Sequence, residues 1–460
     1  MLPAIELHST LGQSRQSFIP IRDNFVRVFV CGPTVYDYPH LGHAKTYTQF
    51  DFIVRTLRWL GYDVFYLQNI TDIDDKIIAR AAKRGISWKA LADEFEQIYL
   101  DDMRALHNTA VNKYARATDY IPQIVTQVRS LLETGHAYHT NDGVYFDIAS
   151  FPEYGKLSGR TQLRVDDAVS RIDDSVAKRN WNDFCLWKAE KPGEPSWQSP
   201  LGAGRPGWHI EDTAITETEL GPQYDLHGGA IDLIFPHHEA EIAQMEAITG
   251  RAPLATYWLH TGFLNIDHEK MAKSTRNFVT IRQALTRYDY RTLRYFFLSH
   301  HYRSSLNYSD ESLTQARNSL KRLDEFVFRV DAEMDDDAIA PRLTQLRDTI
   351  SQALREDFHT PQALAAIYGF ITDAHTFGFP LGRGVFQLFG EFNGLFDFMT
   401  LREPTEIASI EDEGIAALID TRDDLRARRK FREADAIRDA LLARGVQIYD
   451  TPEGVRWRRA

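Results

Sequence analysis

Residues 25–43 read FVRVFVCGPTVYDYPHLGH, and their pattern indicates the class of fold. Five of the first seven residues, 25–31, are β-branched or aromatic, and the run stops at Gly-Pro, which predicts a buried strand that enters a loop. We expect a helix over about 43–60, and the next apolar run, 62–70, predicts a second strand. Strand, crossover helix and strand begin a parallel, doubly wound α/β sheet. The polar TDIDDK that follows lies at the carboxyl end of a strand, where such sheets bind ligands.

Size and composition indicate a multidomain protein. The chain has 460 residues, 43% of them hydrophobic, which is too long for one compact core. It has no apolar run of about 18 uncharged residues and no basic start with an apolar core at its N-terminus. We therefore expect a cytoplasmic protein without a membrane segment. The net charge of -12 argues against non-specific coating of nucleic acid, although a local basic surface remains compatible with it.

The rest of the chain divides into segments that differ in composition and apolar pattern. Residues 115–206 mix a helical pattern, short strand-like pieces and a Gly/Pro-rich run, which we interpret as an insertion into the sheet. After about residue 288 the pattern turns helical. Two acidic stretches, 331–341 and 402–414, are typical of solvated linkers. Two cysteines, Cys31 and Cys185, cannot build a disulfide framework, so either would act as a thiol or thiolate.

Two short motifs indicate phosphate chemistry. HLGH lies between strand and helix, where Gly42 lets the backbone approach a phosphate, the helix N-terminus offers amides, and His40 and His43 could bond phosphate oxygens. In KMAKS, Lys270 and Lys273 suit the charge that appears as pyrophosphate leaves. Each motif alone is weak, because paired histidines also cap helices and lysines also occupy surface turns.

Together the two motifs resemble the HIGH and KMSKS motifs of class I aminoacyl-tRNA synthetases. The stretches FVCGPTVYDYPHLGHAKTY, QNITDIDDKI, GWHIE, HGGAIDLIFPHHEAEIAQ, EKMAKSTRNF and SHHYRSSLNYS resemble the cysteinyl-tRNA synthetase family more closely. The resemblance runs from about Ile5 to Arg458. Ala272 replaces a Ser of the family's lysine loop, while both lysines and Ser274 remain.

The resemblance implies a class I, Rossmann-type catalytic domain with an insertion, then a helical anticodon-binding bundle and a small C-terminal domain. The expected segments are the first catalytic half (1–114), a connective insertion (115–206), the second catalytic half with the KMAKS loop (207–287), a stem-contact segment (288–332), the helical bundle (341–402) and a small anticodon-recognition domain (415–460).

The resemblance also implies a reaction in two steps. The cysteine carboxylate attacks the α-phosphate of ATP, supplied with Mg²⁺, to give the aminoacyl adenylate and pyrophosphate; a ribose hydroxyl of tRNA(Cys) then takes the aminoacyl group. Placement and charge stabilisation would carry the catalysis. By motif match, ATP contacts are expected from the residues His40, Gly42, His43, Gly229, Asp232, Lys270, Lys273 and Ser274. An acid such as Asp232 could instead be an ordinary turn residue.

In the family a zinc ion bound by two cysteines, a histidine and a glutamate selects the substrate thiolate over serine. The matching positions here are Cys31, Asp212, His237 and Glu241. The last two are four residues apart, on one face of the helix predicted for PHHEAEIAQ. We interpret the adjacent His238 as a residue behind the ligands or in the core.

Two further positions complete the expected pocket. Thr71 and Trp208 match positions that line the amino-acid pocket, although either could be an ordinary core residue. Cys31 would contact the substrate as well as the metal. Cys185 matches no ligand position, so we interpret it as a small buried hydrophobe.

Asp212 is the departure from the family pattern, because a second thiolate is expected there. First, a carboxylate can ligate zinc, so a Cys-Asp-His-Glu site would keep the ligand count and formal charge. Second, a hard ligand could weaken binding or admit another divalent ion. Third, the site could be empty in a paralogue with a shifted substrate.

The expected partners are tRNA(Cys), cysteine and ATP, for a protein that acts as a monomer. From residue 421 to the end there are 11 Lys or Arg against 7 Asp or Glu, a net charge of +4, which fits phosphate contact. A solvated amphipathic helix fits the same charges. Tyr449 and Trp457 are candidates for stacking on anticodon bases.

Two other functions remain open from the sequence. A ligase of the mycothiol type shares the catalytic domain and zinc site but joins cysteine to an amino-sugar amine, and it needs no anticodon-binding domain. A non-catalytic paralogue would bind tRNA or an amino acid without joining them. The motifs HLGH, KMAKS and HGGAID argue against that binder, which has no need of a pyrophosphate loop.

Overall fold

The structure of the chain is a computed structural model. It describes residues 2–160, 177–267, 269–270, 278–374, 376–377, 381–401, 413–428, 430–443, 446–451 and 454–459. The strands within these residues are β1 Glu6–Ser9, β2 Ser14–Ser17, β3 Phe25–Val30, β4 Asp63–Ile70, β5 Lys113–Arg116, β6 Ala137–His139, β7 Gly143–Phe146, β8 Phe184–Ala189, β9 Gly204–Pro206, β10 Tyr224–Ala230, β11 Ala255–Thr261, β12 Leu264–Ile266, β13 Glu269–Lys270, β14 Leu306–Tyr308, β15 Val446–Thr451 and β16 Gly454–Arg459.

The α-helices within the same residues are α1 Leu41–Trp59, α2 Asp75–Arg84, α3 Trp88–Ala105, α4 Ile121–Glu133, α5 Ile210–Leu220, α6 Glu239–Thr249, α7 Ile281–Leu285, α8 Tyr290–Leu298, α9 Asp310–Phe328, α10 Ala340–Arg355, α11 Thr360–Ala374, α12 Arg383–Phe396, α13 Glu413–Ala427 and α14 Phe431–Ala443. None of these helices is both long enough and apolar enough to cross a lipid bilayer.

The central sheet has the strand order β11-β10-β3-β4-β5, and every neighbouring pair is parallel. This order confirms the predicted doubly wound α/β fold. From β3 the chain adds β4 and β5 on one side of the sheet and later adds β10 and β11 on the other, so the strand order reverses between β3 and β10. The crevice outside the carboxyl ends of these two strands is the ligand-binding position of such folds. Residue 28 pairs with residue 226 on one side and residue 66 on the other, which brings residue 31 close to residues 229 and 69.

The sequence of β3 explains its central place. Val26, Val28, Phe29 and Val30 are all buried, as expected for a parallel strand that is covered by helices on both faces. The charged residue of this strand, Arg27, is also buried, and its Nε atom lies 3.5 Å from the Asp225 carboxylate of β10. An ion pair therefore compensates the one polar side chain in the strand.

Helix α1 begins with a reciprocal cap made by two histidines. The His40 side chain accepts from the backbone N–H of His43, and the His43 side chain accepts from the backbone N–H of His40. This arrangement has the logic of a capping box, which satisfies two otherwise unpaired amides at a helix start. It fixes both rings at the edge of the crevice, where the sheet's strands end.

A second sheet lies between β5 and α5 in the chain. Its order is β6-β7-β8-β9 and its pairings are antiparallel. Apolar side chains of this sheet pack with α4, α5 and α6; the cluster includes Ile124, Val128, Val144, Phe146, Leu186, Ile210, Ala214, Ala240 and Ala243. The same packing holds the two helices that carry Asp212 and Glu241.

Residue contacts divide the chain into two compact units. The first comprises residues 1–322, 344–375 and 391–399, and the second comprises 323–343, 376–390 and 400–460. The central sheet and the antiparallel sheet both belong to the first unit. In the second unit, the hairpin of β15 and β16 packs its apolar residues with α13 and α14.

The acidic stretch 331–341 is not a solvated linker, so that expectation is wrong. It belongs to the second unit, where the Asp336 carboxylate accepts hydrogen bonds of 2.8–3.2 Å from the backbone N–H groups of Gly382, Gly384 and Val385. These bonds tie two segments that are almost 50 residues apart, which local composition does not reveal. Residues 402–412, most of the other stretch, lie outside the described residues.

Candidate active site and metal centre

A cleft of about 380 Å³ opens at the carboxyl ends of β3 and β10. Several of the predicted site residues line it, namely Cys31, His40, Gly42, His43, Thr71, Trp208 and Asp232. The cleft therefore brings together side chains from three strand ends, the start of α1 and the turn before α5. Its position is the one that the reversal of strand order favours for a ligand.

The rings of the two histidines of HLGH stack at the N-terminus of α1, with their centroids 3.7 Å apart. Each Nδ1 atom accepts from a backbone N–H, at 3.3 Å for His40 and 3.4 Å for His43. A backbone N–H can only donate, so each neutral ring carries its proton on Nε2. Both rings can therefore act as hydrogen-bond donors to an anion at the N-terminus of α1.

The predicted ATP-contacting residues differ in their placement. Asp232 lies on a turn after β10 and lines the cleft, whereas Gly229 is not one of the residues that line it. A Cβ atom on Gly229 would be 2.7 Å from Cε1 of His238, so glycine is required there for the histidine to pack. Lys270 is placed in β13, but its side chain, Lys273 and Ser274 lie outside the described residues.

A buried cluster of metal-binding atoms adjoins the cleft. The ligand atoms of Cys31, Asp212 and His237 all lie within 4.8 Å of one another. The Sγ atom of Cys31 is 3.5 Å from Oδ2 of Asp212, and Nε2 of His237 is 3.0 Å from the same oxygen. The sequence placed these residues 181 and 25 positions apart from Asp212, and the fold brings them to one point.

Glu241, the fourth predicted donor, lies one helical turn after His237. Its Oε1 atom is 3.3 Å from Nε2 of His237, and both of its oxygens are buried without a hydrogen bond. Glu241 also faces a second group, because its ligand atoms lie within 4.8 Å of those of His227 and His238. It therefore stands between the cluster at Asp212 and two buried histidines.

The orientation of His237 is set by its neighbours. Its Nδ1 atom is 2.7 Å from Nδ1 of His209, which leaves Nε2 to face the acids. The Trp208 ring stacks on it with centroids 4.4 Å apart and is 40% exposed, so Trp208 separates the imidazole from the cleft. Such outer contacts hold a ligand histidine in one tautomer and one direction.

The adjacent His238 lies in the core, as expected. It is fully buried, and its Nδ1 atom is 2.8 Å from Nε2 of His260. Burial lowers the pKa of His238 far below that of a free imidazole, and it lowers the pKa of His260 to about 3. Both rings are therefore neutral at physiological pH. Cys185 is also buried in the interior, apart from the cluster.

Among the described residues, no cationic side chain compensates the charge in the cluster. Burial, with the Asp212 charge as the next cause, raises the pKa of Cys31 and of Glu241 well above their usual values. Burial and Asp212 raise the pKa of Glu211 in the same way. Within the described part of the chain, no Lys or Arg forms an ion pair with these groups. A bound divalent cation would reverse the penalty, because it favours the deprotonated forms.

Cys31, Asp212 and His237 fit a zinc ion, and Glu241 lies beside His237 as a further donor. Bonds of about 2.0 to 2.3 Å to a tetrahedral zinc place neighbouring ligand atoms roughly 3.3 to 3.8 Å apart. The separations of 3.5, 3.0 and 3.3 Å for the Cys31–Asp212, Asp212–His237 and His237–Glu241 pairs lie close to that range. One sulfur, one nitrogen and carboxylate oxygens are also donors that zinc accepts.

Sequence reasoning missed two buried residues beside the cluster. Asn69 donates to Oδ1 of Asp212 at 2.5 Å, and Glu211 accepts from the Thr71 hydroxyl at 2.9 Å. Polar residues at the end of an apolar strand were a signal for Asn69, and the acid next to Asp212 was one for Glu211. Their partners lie about 140 residues away in the chain, so the sequence pattern could not predict these contacts.

Comparison with known proteins identifies the family. The model of the family described as tRNA synthetases class I (C) catalytic domain matches residues 17–318. The Cysteine--tRNA ligase of Thermoplasma acidophilum is 44% identical, over 98% of this chain and 100% of its own length. The chain belongs to the cysteinyl-tRNA synthetases. The family's Halorhodospira halophila member is 43% identical over 99% of both chains.

Solved structures support the same fold at lower identity. Mycobacterium tuberculosis methionyl-tRNA synthetase in complex with methionyl-adenylate has a TM-score of 0.60 to this chain, with 18% identity. The likeness covers 82% of this chain and 88% of that structure. It shows the class I synthetase fold, while the family of cysteinyl-tRNA synthetases is shown by the full-length relatives.

Proposed function

We propose that the chain is a cysteine--tRNA ligase: it activates cysteine with ATP and transfers the cysteinyl group to tRNA(Cys). The observation that carries the proposal is the Cys31, Asp212 and His237 cluster at the wall of the cleft, in a chain that matches cysteine--tRNA ligases over almost its whole length. The cleft offers phosphate-binding groups at one side and a sulfur-binding group at the other.

In the activation step, the residues of the cleft hold ATP and cysteine in line. The Nε2–H groups of His40 and His43 donate to phosphate oxygens, and the N-terminal amides of α1 face the same anion. The Asp232 carboxylate accepts hydrogen bonds from the ribose hydroxyls of the adenosine at the other wall of the cleft. Lys270 and Lys273 complete the charge stabilisation as pyrophosphate leaves, with Ser274 in the same loop and Mg²⁺ arriving with the nucleotide.

Cys31, Asp212, His237 and Glu241 would hold one zinc ion beside the amino-acid end of the cleft. When bound, the metal supplies a site for the substrate thiolate that a serine hydroxyl matches poorly. The chain's own residues orient the substrate. Thr71 and Trp208 line the cleft next to Cys31, and the Trp208 ring excludes water from His237.

Transfer requires a tRNA as the second substrate, and the C-terminal region suits it. Exposed cations on α13 and α14, including Arg426, Arg432 and Arg438, offer phosphate contacts. Tyr449 is an unsuitable stacking residue, because it is buried with its ring 4.6 Å from that of Phe328. We propose further that the protein acts as a monomer in the cytoplasm. Measurement of its molecular mass in solution, with and without tRNA, tests the oligomeric state.

The test is a pair of assays on the purified protein. ATP–pyrophosphate exchange should depend on cysteine, and labelled cysteine should be transferred to a tRNA(Cys) transcript but not to an amino-sugar amine. Cysteine-dependent exchange with transfer only to the amine would identify a small-molecule ligase. An absence of exchange with every amino acid would overturn the proposal and leave a binding protein.

A further inference from the structure

Asn69, the last residue but one of β4, joins the two halves of the metal cluster. Its side chain is fully buried. The Oδ1 atom accepts from the backbone N–H of Gly32 at 2.5 Å, and the Nδ2 group donates to Oδ1 of Asp212 at 2.5 Å. Nδ2 also lies 3.4 Å from the hydroxyl oxygen of Thr71. One amide therefore contacts the residue after Cys31 and the carboxylate that replaces the family's second thiolate.

The partners fix which way the Asn69 amide points. A backbone N–H can only donate, so the amide oxygen must face Gly32. The Nδ2 group is then turned towards Asp212, where the carboxylate can only accept. The Thr71 hydroxyl donates to Glu211, which leaves its oxygen as an acceptor for the same amide. A flipped amide would lose both short bonds, so the donor at Asp212 is imposed by the network.

This contact makes the two oxygens of Asp212 unequal. Oδ1 is occupied by the amide of Asn69, whereas Oδ2 faces Sγ of Cys31 at 3.5 Å and Nε2 of His237 at 3.0 Å. The side chain is fully buried, so water does not compete for either oxygen. A hydrogen bond to an ionised carboxylate is stronger than one between neutral groups and resists rotation of the carboxylate.

We propose that Asn69 is a positioning residue that presents Asp212 to the metal through Oδ2 alone. The inference rests on the metal-binding part of the proposed function. A thiolate has one ligand atom and needs no such selection, but a carboxylate can bind through either oxygen or both. The amide settles that choice in this chain and keeps the Cys-Asp-His-Glu set at four donor atoms.

The same amide also contacts the loop on the Cys31 side of the cluster. Gly32 follows Cys31 directly, and a Cβ atom there would lie 1.8 Å from the backbone oxygen of Asn69. The strand end at Asn69 and the loop after Cys31 are therefore in direct contact. Removal of the side chain would free the Gly32 amide as well as Asp212, so a test must separate the two effects.

The test is a double-mutant cycle on zinc affinity, measured by chelator competition on the full chain without ATP, amino acid or tRNA. Asn69→Ala is compared in the wild-type and in the Asp212→Cys background. Asn69→Ser serves as a second variant, since its hydroxyl can accept from Gly32 but cannot also reach Asp212. Asn108→Ala removes another buried amide, bonded to Arg294, and is the matched control.

We expect Asn69→Ala to weaken zinc binding by about 10- to 100-fold when Asp212 is present, as outer-shell partners of metal ligands typically do. In the Asp212→Cys background the change should stay within about twofold, as for sites that do not interact. Asn108→Ala should leave the affinity unchanged. An equal loss in both backgrounds, or no loss in either, would overturn the positioning role.

Cysteine-dependent ATP–pyrophosphate exchange, run in parallel on the wild type, separates this inference from the proposed function. Exchange without any bound zinc would overturn the inference and leave cysteine activation intact. The expected pattern of zinc affinities without exchange would uphold the role of Asn69 and overturn the proposed activity.

Discussion

The Nε2 atom of His237 lies 3.0 Å from Oδ2 of Asp212, and both side chains are 1% exposed or less. A buried carboxylate beside a thiol and a second carboxylate is costly unless a positive charge compensates it. No lysine or arginine in the described residues does so at this cluster. We therefore propose that the contact is one edge of a metal-binding polyhedron, with Asp212 in the place of a thiolate.

Removal of the Asp212 carboxylate should weaken the metal site. Asp212→Ala deletes an anionic ligand, so we expect at least a tenfold loss of zinc affinity, whereas Asp212→Cys should retain binding because sulfur is a preferred zinc ligand. Chelator competition measures both. Asp183→Asn, which alters a buried carboxylate bonded to Tyr138 and Ile148, is the control. Unchanged affinity in Asp212→Ala would show that this carboxylate is no ligand.

Replacement of Cys31 should impair cysteine activation more than replacement of the chain's other cysteine. Both thiols are buried, but only Cys31 lies at the cluster. Cys31→Ser exchanges a soft ligand for a weaker one, and we expect ATP–pyrophosphate exchange at low cysteine to fall by at least tenfold, the order typical for disturbed metal shells. Cys185→Ser should retain activity. Full exchange by Cys31→Ser would remove the thiol from the mechanism.

Acid should destabilise the fold through buried histidines. Burial lowers the pKa of His260 to about 3 from an ordinary value of 6.5. The unfolded chain therefore binds more protons between these values, and stability falls as pH drops below about 6.5. At pH 5 this one group costs about 2 kcal/mol, from 1.36 kcal/mol per pH unit.

His260→Gln, which keeps a donor and an acceptor for Thr10 and His238, should lose less stability between pH 7 and pH 5 than the wild type. Thermal unfolding of zinc-free protein at both pH values measures the difference. The exposed His139, changed to Gln, is the control. An identical fall in wild type and His260→Gln would contradict the assignment of a buried neutral imidazole.

Charge reversal on the C-terminal helix should affect tRNA and spare activation. Arg432 and Arg438 are exposed on α14, so glutamate at both should raise the KM for tRNA(Cys) and reduce the salt dependence of binding by about one unit per lost phosphate contact. Cysteine-dependent exchange should remain normal. Arg129→Glu, at an exposed position of α4, is the control. Equal aminoacylation by the reversed variant would exclude this helix from tRNA binding.

Much of the fold was predictable, because its signals are local. The apolar run of β3, the Gly-Pro stop and the following helix agree with the structure to within a few residues. The spacing of His237 and Glu241 also predicted a shared face. The structure has a π-type turn over Ile234–His238 before α6, and the two side chains still meet at 3.3 Å.

The remainder depends on contacts between distant parts of the chain. The contact of Asn69 with Asp212 forms only because the fold places these two residues, 143 positions apart, side by side. In the same way, Asp336 is an exposed-looking acid in the sequence but accepts three backbone hydrogen bonds. Tyr449 looked available for base stacking until its ring was found packed on Phe328. Composition and periodicity do not encode such partners.

Zinc content of protein purified without chelator should be measured together with ATP–pyrophosphate exchange driven by cysteine and by serine. We expect about one zinc per chain, as one set of protein ligands requires, and exchange with cysteine only. Zinc-free protein whose exchange is lost, or is equally good with serine, would contradict a working metal site at Asp212.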